Sequence, residues 1–124
     1  MTTVNNTVPL GVALFPSLVV FDLDMCVWSP EMYELASVPT DKDVVMGSLG
    51  PNKDDRGVIG VNSGHETIKM FPGALRVLQD FYNGAYPDTM RIAAASSADT
   101  PRAVKIGRAA MELLNVIPGV SMRQ

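Results

Sequence analysis

Hydrophobic positions in this chain fall into short blocks, each ending at residues that interrupt regular structure. Leu18-Val19-Val20-Phe21 is a continuous apolar run of strand-forming residues that stops at Asp22-Leu23-Asp24. Its brevity, with Pro16 just before it, predicts a strand rather than a helix. The lack of alternation predicts burial on both faces, as in a parallel sheet. From Ser29 to Arg56 the chain is polar, acidic and rich in Pro and Gly, which reads mostly as loop with a short helix over 31–35. Residues 57–61 and 67–71 then read as strands joined over Asn62-Ser63-Gly64-His65-Glu66, giving a hairpin.

Pro72-Gly73 opens a helix with Ala74, Leu75, Leu78, Phe81 and Tyr82 on one side, and Asn83-Gly84 stops it. Residues 90–95 form a second short strand of small side chains, ending at Ser96-Ser97. Thr100 caps the next helix, with Pro101 at its first position. Ala103, Ile106, Ala110, Leu113, Leu114 and Ile117 make its apolar stripe, while Lys105, Arg108 and Glu112 face outward. Gly107 within it costs about 1 kcal/mol relative to Ala. The order strand, hairpin, helix, strand, helix predicts an α/β fold.

Composition narrows the function classes. A chain of 124 residues has room for one domain, 1–124. With 47% hydrophobic and 19% charged residues it is not disordered. A net charge of −3 gives no footprint for nucleic acid, and a single cysteine excludes an internal disulfide or a Cys-based zinc site. The first 21 residues carry no charged side chain, but Pro9, Gly11 and Pro16 break them up as a signal peptide or membrane helix. The expectation is a soluble, cytoplasmic protein without membrane contact.

Chemistry concentrates at two strand ends. Asp22 and Asp24 lie at the carboxyl edge of the first buried strand, where open α/β sheets bind ligands. If strand geometry continued through them, both carboxylates would face one way and repel unless a cation or shared proton intervened. Mg²⁺ is the simplest neutraliser, since it prefers oxygen ligands and keeps waters that phosphate can replace. The bland alternative is two solvated acids in a turn. A hydroxyl at Ser96, closing the second strand, is suited to a phosphoryl oxygen, although Ser-Ser before Ala-Asp-Thr-Pro also reads as a plain helix-entry loop.

Together these segments resemble the haloacid dehalogenase superfamily of phosphohydrolases. Val20-Phe21-Asp22-Leu23-Asp24-Met25-Cys26-Val27-Trp28-Ser29-Pro30 is similar to its magnesium-dependent phosphatase group, in which a Tyr-Thr-Leu-Trp-Pro type segment follows the acidic pair. Met70-Phe71-Pro72-Gly73 and Ala93-Ala94-Ala95-Ser96 continue the likeness, which spans roughly residues 18–114. The resemblance implies a Rossmann-like parallel sheet with a hairpin flap. It implies Asp22 as the nucleophile forming an aspartyl-phosphate and Asp24 as general acid, then base. Mg²⁺ would be held by Asp22 and by Asp24 through its carbonyl. Ser96, with Ser97 beside it, and the backbone N–H groups of Leu23 and Asp24 would cradle the phosphoryl group. Trp28 would line the substrate pocket or pack in the core. The implied substrates are phosphorylated small molecules or phosphoproteins, of the phosphotyrosine or sugar-phosphate type.

Two departures qualify the likeness. Cys26 stands where the family usually has Thr and reads as a small buried apolar residue. After Ser96 the chain shows no later lysine and acidic strand motif of the family's kind, so it resembles the N-terminal portion of the fold. Lys69 and Arg102 are the candidates to supply the absent cation. His65 reads as a solvated turn residue. The alternative to a phosphatase is a truncated or inactive phosphatase-like interaction protein. Either way, an uncovered sheet edge favours self-association.

Overall fold

The computed structural model describes residues 15–96 and 98–123. In chain order its elements are β1 (Leu18–Asp22), β2 (Trp28–Ser29), β3 (Val44–Ser48), β4 (Arg56–Ser63), β5 (Glu66–Met70), α1 (Pro72–Tyr82), β6 (Arg91–Ala95), α2 (Pro101–Leu113), β7 (Asn115–Ile117) and β8 (Val120–Ser121). The α/β composition follows the order that periodicity predicts. β1 and β6 pair in parallel, from Leu18 opposite Arg91 to Asp22 opposite Ala95. β2, β5, β4 and β3 form a separate antiparallel sheet in that order, and β7 and β8 form a small hairpin.

The parallel pair carries the two segments with candidate chemistry, so their carboxyl ends lie side by side. Its burial differs from expectation. Val19 and Phe21 are half-buried, whereas Leu18 and Val20 remain 54% and 55% exposed. The buried side faces α1, where Val77, Leu78 and Phe81 share a cavity with Val19, Phe21 and Ile92. No described element covers the side bearing Leu18, Val20, Ala93 and Ala95, all of which are exposed. A run of β-branched and aromatic residues permits burial on both faces; it does not supply the second covering layer.

The main core lies instead between α2 and the antiparallel sheet. Trp28, Val61, Ile68, Ile106 and Leu114 each have no exposed surface, and Met32 has 1%. Thr100 caps α2 by accepting from the Ala103 N–H at 3.2 Å, and Pro101 sits in the first turn, as predicted. The helix ends at Leu113, short of the stripe's last residue, Ile117. Asn115 Oδ1 accepts from the Val58 N–H at 2.7 Å, and Gly119, at φ 78°, turns the chain back into β8. Side-chain pairing with a distant strand thus outweighs helical periodicity.

Residues 29–56 hold more order than their composition suggests. Two 3-10 turns, Met32–Glu34 and Asp41–Asp43, replace the single short helix, and β3 pairs with β4 around a bulge at Val45/Met46. Thr40 and Asp43 close the second turn with a capping box. Gly57 has a packing reason to be glycine: a Cβ there would lie 2.7 Å from both Asn115 Oδ1 and Leu49 Cδ1. The predicted hairpin is present as β4 and β5, with a tighter turn at Gly64-His65. No helix among the described residues is long and apolar enough to cross a membrane.

Candidate active site

The assigned strand β1 ends at Asp22, and the chain enters a turn just beyond it. The Leu23 carbonyl accepts from the N–H groups of Cys26, Val27 and Trp28, at 3.2, 2.9 and 3.2 Å. Met25 takes a left-handed conformation, φ 61°, to complete the turn. Asp22 is exposed and makes no side-chain hydrogen bond or ion pair among the described residues. Cys26 is also exposed, contrary to the buried role expected, because it sits in this turn rather than on a continued strand.

Asp24 is half-buried and held at both oxygens. The Trp28 indole Nε1–H donates to Oδ1 at 2.9 Å, and the backbone N–H of Met32 donates to Oδ2 at 3.0 Å. An ionised carboxylate has about four lone-pair sites, so two such bonds orient the group and leave acceptor capacity. Trp28 is wholly buried beneath it. It packs in the core and also borders the cavity beside Ser96, and it makes a hydrogen bond to Asp24 that residue type alone did not announce. The Met32 donor was invisible in sequence, because any residue eight positions away offers the same N–H.

Ser96 closes β6 one residue past Ala95, the register partner of Asp22. Its Oγ accepts from the Ala98 N–H at 3.1 Å, leaving the hydroxyl proton to donate elsewhere. The expected phosphate cradle needs one correction. The Leu23 N–H donates to the Ala95 carbonyl at 3.1 Å, extending the parallel pairing, so it is not a free donor for substrate. Ser97, expected beside Ser96 as a phosphate contact, lies outside the described residues.

Next to Ser96, between α2 and the end of the parallel pair, is a cavity of about 420 Å³. Leu23, Trp28, Met32 and Ala94 border it on one side; Ala103, Gly107, Arg108 and Met111 border it from α2. The two cations suggested by sequence are elsewhere. Lys69 is opposite Ser29 in the antiparallel sheet, and Arg102 borders a different cavity with Tyr33 and Thr100. His65 is exposed in the hairpin turn.

The donors suit a hard cation only sparsely. Among the described residues no three His, Cys, Asp or Glu side chains cluster. Asp22 offers an uncommitted carboxylate, and Mg²⁺ characteristically binds through one or two carboxylates with waters and substrate phosphate. The oxygen chemistry of Asp22 and the adjoining Asp24 carbonyl fits that mode. A fully protein-built metal cage is absent among the described residues.

Comparison with protein families gives a match over residues 14–124 to the family described as Acid Phosphatase. No curated protein and no solved structure matches the chain.

Proposed function

The chain belongs to the acid phosphatase family, and from that premise we propose that it hydrolyses phosphate monoesters through an aspartyl-phosphate on Asp22. The observation that best supports this reading is the junction of β1 and β6. An unpartnered Asp22, an oriented Asp24 and the Ser96 hydroxyl occur at adjacent carboxyl ends of parallel strands. The proposal includes the haloacid dehalogenase arrangement of that sheet, with the β4–β5 hairpin as its flap.

In the first step an Asp22 carboxylate oxygen attacks phosphorus as the bond to the leaving oxygen breaks. Asp24, in its protonated form, delivers a proton to that oxygen. Asp24 then takes a proton from water as the water attacks phosphorus, and cleavage of the phosphorus–Asp22 oxygen bond frees inorganic phosphate and restores the carboxylate. Trp28 and the Met32 N–H hold Asp24 in one orientation through both transfers. Ser96 donates to a phosphoryl oxygen, where fixed donors favour the charge of the transition state. Mg²⁺, held by the Asp22 carboxylate and Asp24 carbonyl, would supply positive charge to the phosphoryl oxygens. The substrates proposed are aryl phosphates of the phosphotyrosine type or sugar-type phosphates.

The test is Mg²⁺-dependent phosphate release from an aryl phosphate by the purified chain. Activity should fall to background in Asp22→Asn, because an amide is a poor nucleophile. Turnover equal in the wild type and Asp22→Asn would exclude the mechanism.

A further inference from the structure

Among the described residues, the wall of the cavity beside Ser96 has one charged side chain, Arg108, and no carboxylate. Its volume, about 420 Å³, falls within the range of small-molecule sites, roughly 300–1,000 Å³. The remainder of the lining is chiefly apolar, with the Ser96 hydroxyl near the proposed phosphate position. Arg108 is exposed and has no ion-pair partner among the described residues. The natural partner for it on α2 is Glu112, one turn later at i+4. Glu112 is engaged by Arg123 instead. A planar guanidinium is thus left with its donors uncommitted at the edge of an apolar cleft, a combination suited to a carboxylate or similar planar anion.

The surroundings reinforce that charge. Residues 1–89 carry 5 basic and 11 acidic side chains, whereas residues 90–124 carry 5 basic and 2 acidic. Three of the latter cations, Arg102, Lys105 and Arg108, lie on α2. From these observations we propose that the cavity receives the leaving group of the substrate, and that Arg108 selects leaving groups bearing a second anionic group on an apolar ring or chain. The inference rests on the phosphatase reading for the position of the phosphate. Arg108 is a specificity residue in this account; the reacting atoms remain with Asp22, Asp24 and Ser96.

A binding comparison tests it without requiring turnover. Benzylphosphonate and 4-carboxybenzylphosphonate are titrated into the full chain, and the amide signals of Ala103 and Gly107 are followed by NMR. The wild type should bind the carboxylated compound about 5- to 10-fold more tightly. Arg108→Ala should bring that ratio close to one, and Arg108→Lys should retain part of it. Equal affinities in the wild type, a ratio unchanged in Arg108→Ala, or binding of neither compound would overturn the proposal. Phosphate release in Asp22→Asn reports separately on the phosphatase reading, so the two can fail independently.

Discussion

Asp24 illustrates what single residues can and cannot announce. Its place after an apolar strand was legible, as was the presence of a nearby tryptophan. Their hydrogen bond was not, because it depends on a turn built around the Leu23 carbonyl and a left-handed Met25. Trp28→Phe removes the Nε1 donor while keeping a ring in the core. If Trp28 positions Asp24, kcat should fall about 10-fold, with little change in KM and an altered pH–rate profile. A purely structural role would lower thermal stability and leave the pH profile in place. Gly107 gives an opposite expectation. Its added Cβ would meet Met32 Cγ and Trp28 Cζ2 at 3.8 Å, ordinary contact distances. Gly107→Ala should therefore stabilise the chain by about 0.5–1 kcal/mol in urea unfolding, since helix propensity improves without a clash. A loss of stability would contradict the room for a methyl group between α2 and Trp28.

At the scale of elements, local signals identified β1, β6, the β4–β5 hairpin and both helices. Each has strong punctuation: Pro16, Pro72, Asn83-Gly84, Thr100-Pro101. The strands that escaped, β2, β3 and the β7–β8 hairpin, depend on partners outside their own segments. β3 is short and bulged and exists through its ladder with β4; β7 is fixed by Asn115 to Val58 and by Gln79 Nε2, which donates to the Val116 carbonyl at 3.1 Å. The two-faced burial expected of β1 failed for a related reason: the covering layer belongs to other elements. That difference predicts unequal mutational costs. Val20→Thr should change stability by less than about 0.5 kcal/mol. Ile106→Ala, in the wholly buried stripe of α2, should cost about 2–5 kcal/mol. Chemical denaturation of the two variants checks this; a large loss in Val20→Thr would contradict the exposed face.

For the whole molecule, the antiparallel sheet and α2 hold most of the core, while the parallel pair displays its carboxyl ends near the cavity. Asp22, Asp24 and Ser96 were legible as candidates because each follows an apolar run. Arg108 was legible only as an outward-facing helix residue, since its unpaired state depends on Arg123 engaging Glu112. The central claim is that Asp22 is the nucleophile, and trapping the covalent intermediate tests it most directly. The chain is mixed with Mg²⁺ and a ³²P-labelled aryl phosphate, quenched rapidly in acid and mapped by peptide mass and radioactivity. The account predicts label on the peptide containing Asp22, discharged by hydroxylamine as an acyl phosphate and absent from Asp22→Asn. Phosphate release with no protein-bound label, or label that persists in Asp22→Asn, would contradict it.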